Sequence, residues 1–345
     1  MKGVDPVHFR MKIKAQDRSV LLKLIGHFAR QRVLLLGDLV ADEFIHGEIA
    51  RVSREAPVLI LKERERRIVP GGGANAANNL VDLGAHLILA GVVGADDAGD
   101  SLLRYFEQKG VSTGHVQRRA DYCTPTKSRI LGAVGHARHQ QVVRVDREPA
   151  RKLGSDVRRS LRDAVDPNAA DAVLVSDYGY GAVDARQVDS MRRRLGRRRT
   201  PITVDSRYDL LSYKRVTAST PNEPELEAAF GEPIGSDVSA LYRLATAVLR
   251  HQSLEALLVT RGRDGMVLFE PGKAPQHLPI FGSDQVADVT GAGDTVIAAF
   301  TLALAADASF PHAAMLANCA GGLVVMKSGT ATLSAAELSE AIRNA

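Results

Sequence analysis

Short apolar runs alternate with amphipathic stretches through most of the chain. The runs at residues 32–38, 172–177, 201–205 and 256–260 end in glycine, aspartate or threonine. Continuous apolar runs of this length are typical of parallel strands buried on both faces, and ligands bind at the carboxyl ends of such strands. The alternation predicts an α/β fold built on a doubly wound, mostly parallel sheet.

Three further patterns extend this prediction. Residues 17–30 carry apolar side chains at helical spacing and predict a helix at the edge of the domain. Residues 85–93 predict another buried strand, and residues 266–269 predict a return strand. Because there is no internal repeat and no low-complexity linker, we assign residues 1–30 to an N-terminal arm and helix and residues 31–345 to one domain.

Two stretches have a different character and predict a small β-sheet lid. Residues 43–69 hold two short strand-like runs, 44–49 and 58–62, around a polar loop, and a second group of strands lies within residues 124–147. Both groups are placed between α/β units, so we expect them outside the main sheet. A lid of this kind has exposed strand edges that a second copy of the chain can cover, which predicts a homodimer through the lid.

Composition narrows the class of protein. The 345 residues are 45% hydrophobic and 25% charged, the ordinary balance of a globular protein. No run approaches the roughly 18 apolar residues of a membrane span, and the N-terminus has no signal-peptide core. Two distant cysteines, Cys123 and Cys319, provide neither a metal cluster nor a disulfide framework. We therefore expect a cytoplasmic protein without a membrane partner.

The net charge of +5 raises the question of nucleic-acid binding. Much of the excess lies in the arginine-rich run at residues 192–199. No aromatic side chains interleave with it, and arginine is favoured at helix C-termini, so a solvated helix end is the preferred interpretation. Nucleic acid is not an expected partner.

The stretch at residues 288–295 reads Asp-Val-Thr-Gly-Ala-Gly-Asp-Thr and precedes an apolar run at residues 296–304. The apolar run predicts a buried helix, and residues 285–287 predict a short extended segment before the turn. At the glycine turn, 291–293, free backbone N–H groups and the positive end of the helix dipole would point outward together. Such a turn binds phosphate or stabilises charge on a phosphoryl group in transfer. Asp294 would lie beside it and accept a proton from a bound hydroxyl.

Two interpretations of this stretch remain open. A Gly-x-Gly-Asp string can be only a tight turn with a helix N-cap, because short glycine motifs recur by chance. The Asp288-x-Thr290 pair before the turn and the apolar helix after it favour a catalytic role. They indicate a kinase that acts on an alcohol.

A second glycine-rich stretch, residues 70–80, follows the first lid strands. Its three glycines let the backbone approach a ligand closely, and the small residues after them predict a tightly packed helix. Asn75 can both donate and accept hydrogen bonds toward sugar hydroxyls, and Asp38, at the tip of the first strand, is a strong acceptor for hydroxyl protons. For Asp38 a plain strand-end turn is the alternative.

Several basic residues fall on the predicted lid strands. Lys127, Arg129 and Arg144 lie in the second group of strands, and Arg51 lies in the polar loop of the first group. Together they could clamp a dianionic phosphate, which predicts a phosphorylated substrate. A solvated, positively charged lid face is the alternative.

The two glycine signatures, in this order and at this separation, resemble those of the ribokinase-like, or PfkB, carbohydrate kinases, and the resemblance extends over residues 30–345. It implies an ATP-dependent sugar kinase in which Asp294 is the catalytic base. It also implies an anion hole at the turn, formed by Gly291, Ala292 and Gly293. The same resemblance assigns sugar contacts to Asp38, Asp42, Gly72, Gly73 and Asn75.

The resemblance also assigns a nucleotide side. Asn222 and Glu225 match the family's Asn-x-x-Glu and would organise Mg²⁺ and phosphate through water. The nucleotide phosphates would be lined by Thr260, Gly262 and Gly265, and Asn318 would lie near the adenine. The resemblance leaves open whether a monovalent cation is also required.

Within the family the chain is most similar to the bacterial heptose 7-phosphate kinases. The likeness is carried by Gly37-Asp38 with Asp42 and Gly47, by residues 51–58, by residues 126–129 with Gln140-Gln141, Arg144 and Asp146, and by residues 288–296. It implies transfer of phosphate from ATP to the anomeric hydroxyl of D-glycero-D-manno-heptose 7-phosphate, giving the 1,7-bisphosphate. In many of these proteins a nucleotidyltransferase domain follows, and we expect only the kinase part in the present 345 residues.

Two positions depart from the heptose kinases. Tyr180 stands where they tend to have a lysine in Ser-Asp-Tyr-x-Lys-Gly, and Arg207 replaces the lysine of their Asp-Pro-Lys-Gly. Arginine and lysine are not equivalent at phosphate sites, so the acceptor remains open. Another sugar or a nucleoside is the alternative substrate, and a non-catalytic sugar- or nucleotide-binding protein of the same fold is the alternative function.

Overall fold

The computed structural model describes residues 11–133, 140–282, 288–327 and 329–345. The first ten residues of the expected arm and the extended segment predicted at residues 285–287 lie outside the described residues. In the described part, no helix has both the length and the apolar character that crossing a bilayer requires.

Thirteen strands are defined within these residues. They are β1 (Arg32–Gly37), β2 (Leu39–Val52), β3 (Leu59–Gly72), β4 (His86–Gly94), β5 (His115–Arg119), β6 (Thr126–Ala133), β7 (Gln140–Arg147), β8 (Ala172–Asp177), β9 (Ile202–Ser206), β10 (Ala218–Ser219), β11 (Ala256–Thr260), β12 (Met266–Phe269) and β13 (Gln276–Leu278).

Ten α-helices accompany them in the same residues. They are α1 (Ala15–Ile25), α2 (Gly73–Asp82), α3 (Asp97–Gln108), α4 (Ser155–Ala164), α5 (Ala185–Leu195), α6 (Glu223–Phe230), α7 (Val238–Gln252), α8 (Ala292–Ala305), α9 (Phe310–Val324) and α10 (Ala335–Arg343). The helix predicted over residues 17–30 is α1 followed by a short 3₁₀ turn, Phe28–Arg30.

The main sheet has nine strands in the order β13-β12-β11-β10-β9-β8-β1-β4-β5. Every neighbouring pair from β10 and β11 through to β5 is parallel, and only β12 and β13 are antiparallel additions at one edge. The predicted doubly wound, mostly parallel sheet is confirmed. The predicted return strand is β12, which pairs with β11 from Leu257–Phe269 to Thr260–Met266.

Helices cover both faces of this sheet, and β1 shows why its sequence is apolar throughout. Val33 and Leu35 belong to one core cluster, with α1, α2, α3, α8, α9 and α10. Leu34 and Leu36 belong to a second cluster, with α4, α5, α6 and α7. Because successive side chains of a strand point to opposite faces, a strand between two helical layers needs apolar residues at every position.

The lid is a separate four-stranded sheet in the order β3-β2-β6-β7. β2 pairs antiparallel with β3 and parallel with β6, and β6 pairs antiparallel with β7. The two short strands predicted at 44–49 and 58–62 are wrong in extent. β2 and β3 are each 14 residues long and form one hairpin that begins after Asp38 and returns to the start of α2. The full length of β3 could not be predicted because the outer half of the strand is exposed to solvent and carries charged residues. Backbone pairing between strands does not require apolar side chains there.

The arginine-rich run lies at the end of α5 and just beyond it. Arg192 and Arg193 form ion pairs with Asp189, and Arg198 pairs with Asp171. These paired, largely exposed side chains agree with a solvated helix end.

Candidate active site

A cleft of about 510 Å³ opens between the carboxyl ends of the main-sheet strands and the inner side of the lid. Four acidic residues of the main domain and three basic residues of the lid line it: Asp177, Asp205, Glu225 and Asp294, with Lys127, Arg129 and Arg144. The structure therefore brings the two glycine signatures and the basic lid strands, far apart in sequence, to one place.

The turn before α8 has the predicted form. Gly291 is the N-cap, with a φ of 77°, a left-handed conformation that glycine adopts without steric cost. A Cβ at this position would also collide with the amide nitrogen of Asn75. Asp288 stabilises the turn, because its carboxylate accepts hydrogen bonds from the backbone N–H groups of Thr290 (2.9 Å) and Gly329 (3.1 Å).

Two backbone N–H groups of this turn are available to a ligand. The N–H of Ala292 donates to the carbonyl of Val289 at 3.2 Å, which closes the turn. Those of Gly293 and Asp294 have no acceptor among the described residues. They lie at the positive end of α8, where an anionic phosphoryl group is favoured.

Asp294 is 3% exposed and both of its carboxylate oxygens are held by side chains. Asn75 Nδ2 donates to Oδ2 at 2.8 Å, and the hydroxyl of Tyr178 donates to Oδ1 at 2.8 Å. Burial raises the pKa of Asp294 to about 7, while the two donated hydrogen bonds oppose that rise. A carboxyl group with a pKa near neutrality is well matched to taking a proton from an alcohol.

The lid supplies the opposite wall. Asp42 is 4% exposed and forms a 2.7 Å ion pair with Arg129, whose guanidinium also lies over the ring of Phe44. Burial raises the pKa of Asp42 in spite of that neighbour. The ammonium of Lys127 lies 5.2 Å from the centre of the Tyr178 ring, and burial followed by the charge of Arg207 lowers its pKa.

Asp38 does not line the cleft, which agrees with the strand-end alternative. Its carboxylate accepts hydrogen bonds from the backbone N–H groups of Tyr178, Tyr180 and Ala182, each at 2.9 Å. Burial raises its pKa to about 6, and these hydrogen bonds oppose the shift. Asp38 therefore shapes the loop after β8, whereas Asp42, four residues later, faces the cleft.

The Asn-x-x-Glu pair forms the start of α6. Asn222 Oδ1 accepts from the N–H of Glu225 at 2.8 Å, and Glu225 Oε2 accepts from the N–H of Asn222 at 3.0 Å, a capping box. Both residues and Thr260 nevertheless line the cleft, and the backbones of Asn222 and Thr260 pair in an isolated parallel β-bridge. The second oxygen of Glu225, Oε1, has no hydrogen bond among the described residues.

In addition to Asp38, seven predicted site residues lie outside the lining of the cleft: Arg51, Gly73, Asn75, Gly262, Gly265, Ala292 and Asn318. Gly262 follows β11, and Gly265 is a packing position where a Cβ would collide with the carbonyl of Leu278. Asn318 is 2% exposed and donates to the carbonyl of Pro279 at 2.7 Å. Arg51 is exposed near the far end of the lid hairpin, opposite Ile60.

Gly72 and Gly73 have different surroundings. Gly72 lines the cleft at the end of β3, and a Cβ there would lie 2.8 Å from Val40 and 3.2 Å from the Tyr178 ring. Gly73 begins α2 and packs against the backbone of Asp38, where a Cβ would be 2.7 Å from the carbonyl oxygen. Gly73 is therefore a packing position next to the cleft.

The lining residues to which the sequence assigns no role include Asp177, Tyr178, Asp205 and Tyr208. Asp177 and Asp205 end two of the apolar runs that predict buried strands. Because ligands bind at the carboxyl ends of such strands, their position could have predicted that they line the cleft. Asp205 has no hydrogen bond or ion pair within the described residues. Burial, with the nearby charge of Glu225, raises its pKa well above the ordinary value.

The model of the pfkB family of carbohydrate kinases matches residues 36–337. The chain therefore belongs to this family and is a sugar kinase, an enzyme that transfers a phosphoryl group to an alcohol acceptor.

Relatives named "Bifunctional protein HldE" match nearly the whole chain. The protein from Chromohalobacter salexigens is 42% identical over 90% of this chain and 63% of its own length. That from Pelobacter propionicus is 37% identical over 94% of this chain and 66% of its own length. The chain thus spans somewhat less than two thirds of the length of these relatives.

Solved structures of low sequence identity share the fold. Arabidopsis thaliana ribokinase complexed with ribose and ATP has a TM-score of 0.70 at 19% identity, covering 91% of this chain and 99% of its own. Phosphofructokinase-2 from Escherichia coli, in complex with substrates and products, has a TM-score of 0.71 at 18% identity with the same coverage. These likenesses confirm the ribokinase-like fold.

Proposed function

We propose that the protein transfers the γ-phosphate of ATP to the anomeric hydroxyl of D-glycero-D-manno-heptose 7-phosphate in the cytoplasm. The observation that carries the proposal is the cleft in which the buried Asp294 faces basic residues of the lid. The likeness to heptose 7-phosphate kinases and the HldE relatives support the choice of sugar.

The basic residues give the cleft the charge that a phosphorylated sugar needs. Lys127, Arg129 and Arg144 project from adjacent lid strands into the same cleft. Arg129 and Arg144 already pair with Asp42 and Asp146, so each is held in place before a ligand binds. Guanidinium groups bind phosphate through two parallel hydrogen bonds, which favours an acceptor with a phosphate at the end away from the reacting hydroxyl.

The proposed reaction follows from the position of Asp294. Its carboxylate takes the proton of the anomeric hydroxyl while that oxygen attacks the γ-phosphorus in line, and the bond to the bridging oxygen breaks to release ADP. The free N–H groups of Gly293 and Asp294 stabilise negative charge on the transferred group. Catalysis then depends mainly on positioning and charge neutralisation.

Mg²⁺ fits the nucleotide side of the cleft. Asp205 and Glu225 offer carboxylate oxygens without hydrogen-bond partners in the described part of the chain, and burial raises the pKa of both. Such oxygens are suitable Mg²⁺ ligands, directly or through water. When bound, Mg²⁺ neutralises charge on the nucleotide phosphates, and Asp205, Glu225 and Asn222 are the residues that would hold it.

The test is release of ADP from ATP and Mg²⁺ with a panel of free and phosphorylated sugars and nucleosides, with and without K⁺. We expect turnover with heptose 7-phosphate, and a loss of about 10³-fold in Asp294→Asn, in the range that general-base catalysis contributes.

The same panel distinguishes the alternatives. Turnover of ribose or adenosine with none of heptose 7-phosphate would reject the proposed acceptor. Binding of ATP and sugar without turnover above the Asp294→Asn level would identify a non-catalytic binding protein.

We also propose that the protein is a homodimer through the lid. β7 is an edge strand in which every residue is exposed. Val143 and Val145 alternate there with Arg144 and Asp146, so they occupy the face of the lid opposite the cleft, with exposed fractions of 45% and 52%. An exposed strand edge beside apolar side chains is a surface that a second copy can cover.

A further inference from the structure

Tyr178 is in direct contact with the carboxylate of Asp294. Its hydroxyl donates to Asp294 Oδ1 at 2.8 Å, while Asn75 donates to Oδ2 at the same distance. Asn75 belongs to α2 and Tyr178 to the loop after β8, so two independent elements hold the two oxygens. Together these bonds fix the plane of the carboxylate.

The backbone that carries Tyr178 is itself fixed. Its N–H donates to Asp38 at 2.9 Å, and the next N–H, that of Gly179, donates to Asp177 at 3.0 Å. The ring is confined on its sides as well. It lies close to Gly72, where there is no side chain, and the ammonium of Lys127 lies 5.2 Å from its centre. The hydroxyl therefore has little freedom to leave Asp294.

The hydrogen bond has one possible direction when Asp294 is ionised. Burial, together with the charge of Asp294, raises the pKa of Tyr178 well above its ordinary value, so the phenol keeps its proton. A neutral phenol that donates to a carboxylate favours the ionised form of that carboxylate.

We propose that Tyr178 is a positioning residue for Asp294, one that orients the carboxylate and keeps it ionised, and that Lys127 on its ring connects it to the lid. The proposal rests on the proposed function, in which Asp294 is the base. Tyr178 need not touch either substrate for this role.

Other charged groups face Asp294 and must stay constant in any test. Asp42 on β2 raises its pKa and Lys127 on β6 lowers it. The negative charges of Asp205 on β9 and Asp294 repel each other, and the positive charge of Arg207 lowers the pKa of Tyr178. Tyr178→Phe leaves all four groups in place and removes one hydroxyl.

The first measurement needs no substrate. The ¹³C chemical shift of the Asp294 carboxyl, assigned by its disappearance in Asp294→Asn, is followed against pH in wild type, Tyr178→Phe and Tyr105→Phe. Tyr105 is the matched control, because its hydroxyl donates to Asn78 at 3.2 Å outside the cleft. We expect Tyr178→Phe to raise the midpoint by about one pH unit, and Tyr105→Phe to leave it unchanged.

The second measurement is the pH profile of kcat/KM with heptose 7-phosphate. Ionised Asp294 is the active form, so the rate rises with pH through a midpoint near 7. A midpoint raised by about one pH unit lowers kcat/KM roughly tenfold at pH 6 and leaves it within about threefold at pH 9. KM for both substrates should change little, because the lost contact is to the base.

The outcomes separate this inference from the proposed function. An unchanged carboxyl midpoint in Tyr178→Phe, or an equal loss of activity at every pH, overturns the inference and leaves the kinase assignment intact. Absence of turnover in wild type rejects the proposed function, and the carboxyl titration still decides whether Tyr178 controls Asp294.

Discussion

Gly291 allows the turn before α8 to form while Asn75 remains close enough to bind Asp294. Its φ of 77° lies in the left-handed region, and the space that a side chain would need is filled by the Asn75 amide. That amide is also a donor to Asp294. The missing Cβ therefore lets α2 approach α8 closely enough for the hydrogen bond to form.

We predict that Gly291→Ala lowers kcat by about 100-fold, because displacement of Asn75 misplaces the base. The control is Gly110→Ala, which has a φ of 75° and no atoms within 4 Å of the added Cβ. It should lose only about 1 kcal/mol of stability from left-handed strain and keep its activity. The measurement is steady-state ADP release beside thermal unfolding; wild-type kcat in Gly291→Ala would contradict the predicted contact.

At the scale of elements, the lid is tied together by charge on its inner side. Asp42 on β2 and Arg129 on β6 form an ion pair whose side chains are 5% and 12% exposed. On the outer side, Glu43 accepts hydrogen bonds from Ser128 and from Arg66. Parallel pairing of β2 with β6 is thus reinforced by side-chain bonds on both faces of the lid.

We predict that Arg129→Met lowers the free energy of unfolding by about 3 kcal/mol, because it leaves the Asp42 carboxylate buried without its partner. The matched control is Arg64→Met, which removes a lid ion pair with Glu48 whose side chains are 64% and 47% exposed. That pair is screened by solvent, so little change is expected. Denaturation with guanidinium chloride measures the free energy of unfolding of both variants. Equal decreases in the two variants would show that burial of the Asp42–Arg129 pair has no special effect.

At the scale of the whole molecule, the cleft exists because two sheets meet. The main sheet supplies the carboxyl ends of its strands, and α8 supplies the base and the free N–H groups. The lid supplies the cations, and its outer face carries the exposed Val143 and Val145. A lid covered by a partner copy would be held in a defined position over the cleft.

We predict that wild type sediments as a dimer at micromolar concentration and that the double variant Val143→Lys, Val145→Lys sediments as a monomer. Two charges on the outer face would repel their counterparts across the interface. Val238→Lys, at a 40% exposed position beginning α7, is the control and should remain dimeric. A monomeric wild type in sedimentation velocity would remove the proposed interface.

Much of the fold could be predicted from local patterns. The apolar runs located β1, β8, β9 and β11, and the glycine signatures located the starts of α2 and α8. The strands predicted for the β2–β3 hairpin are too short, because its exposed half carries charged residues that have no strand-like periodicity. Strand length there depends on backbone pairing with a neighbour, and that is a property of the sheet.

The site was predicted in part for a similar reason. Asp294 and Asn75 could be predicted because they lie beside glycine turns, and the lid cations because they lie on predicted lid strands. Asp42 was implied only by the family resemblance. Tyr178 could not be assigned, because its role depends on a 2.8 Å contact with a residue 116 positions away. For Asp38 the sequence predicts a sugar contact, and it cannot show that three backbone N–H groups donate to this carboxylate.

The sequence by itself determined the α/β class and the helix start that exposes N–H groups, since these follow from periodicity and glycine placement within short stretches. The kinase family was implied by the resemblance of the two glycine signatures. Only the tertiary structure decided which of two neighbouring aspartates, Asp38 or Asp42, faces the cleft, and which donors hold Asp294. Those outcomes depend on burial and on hydrogen-bond partners from distant elements, and these are set when the two sheets and their helices pack together.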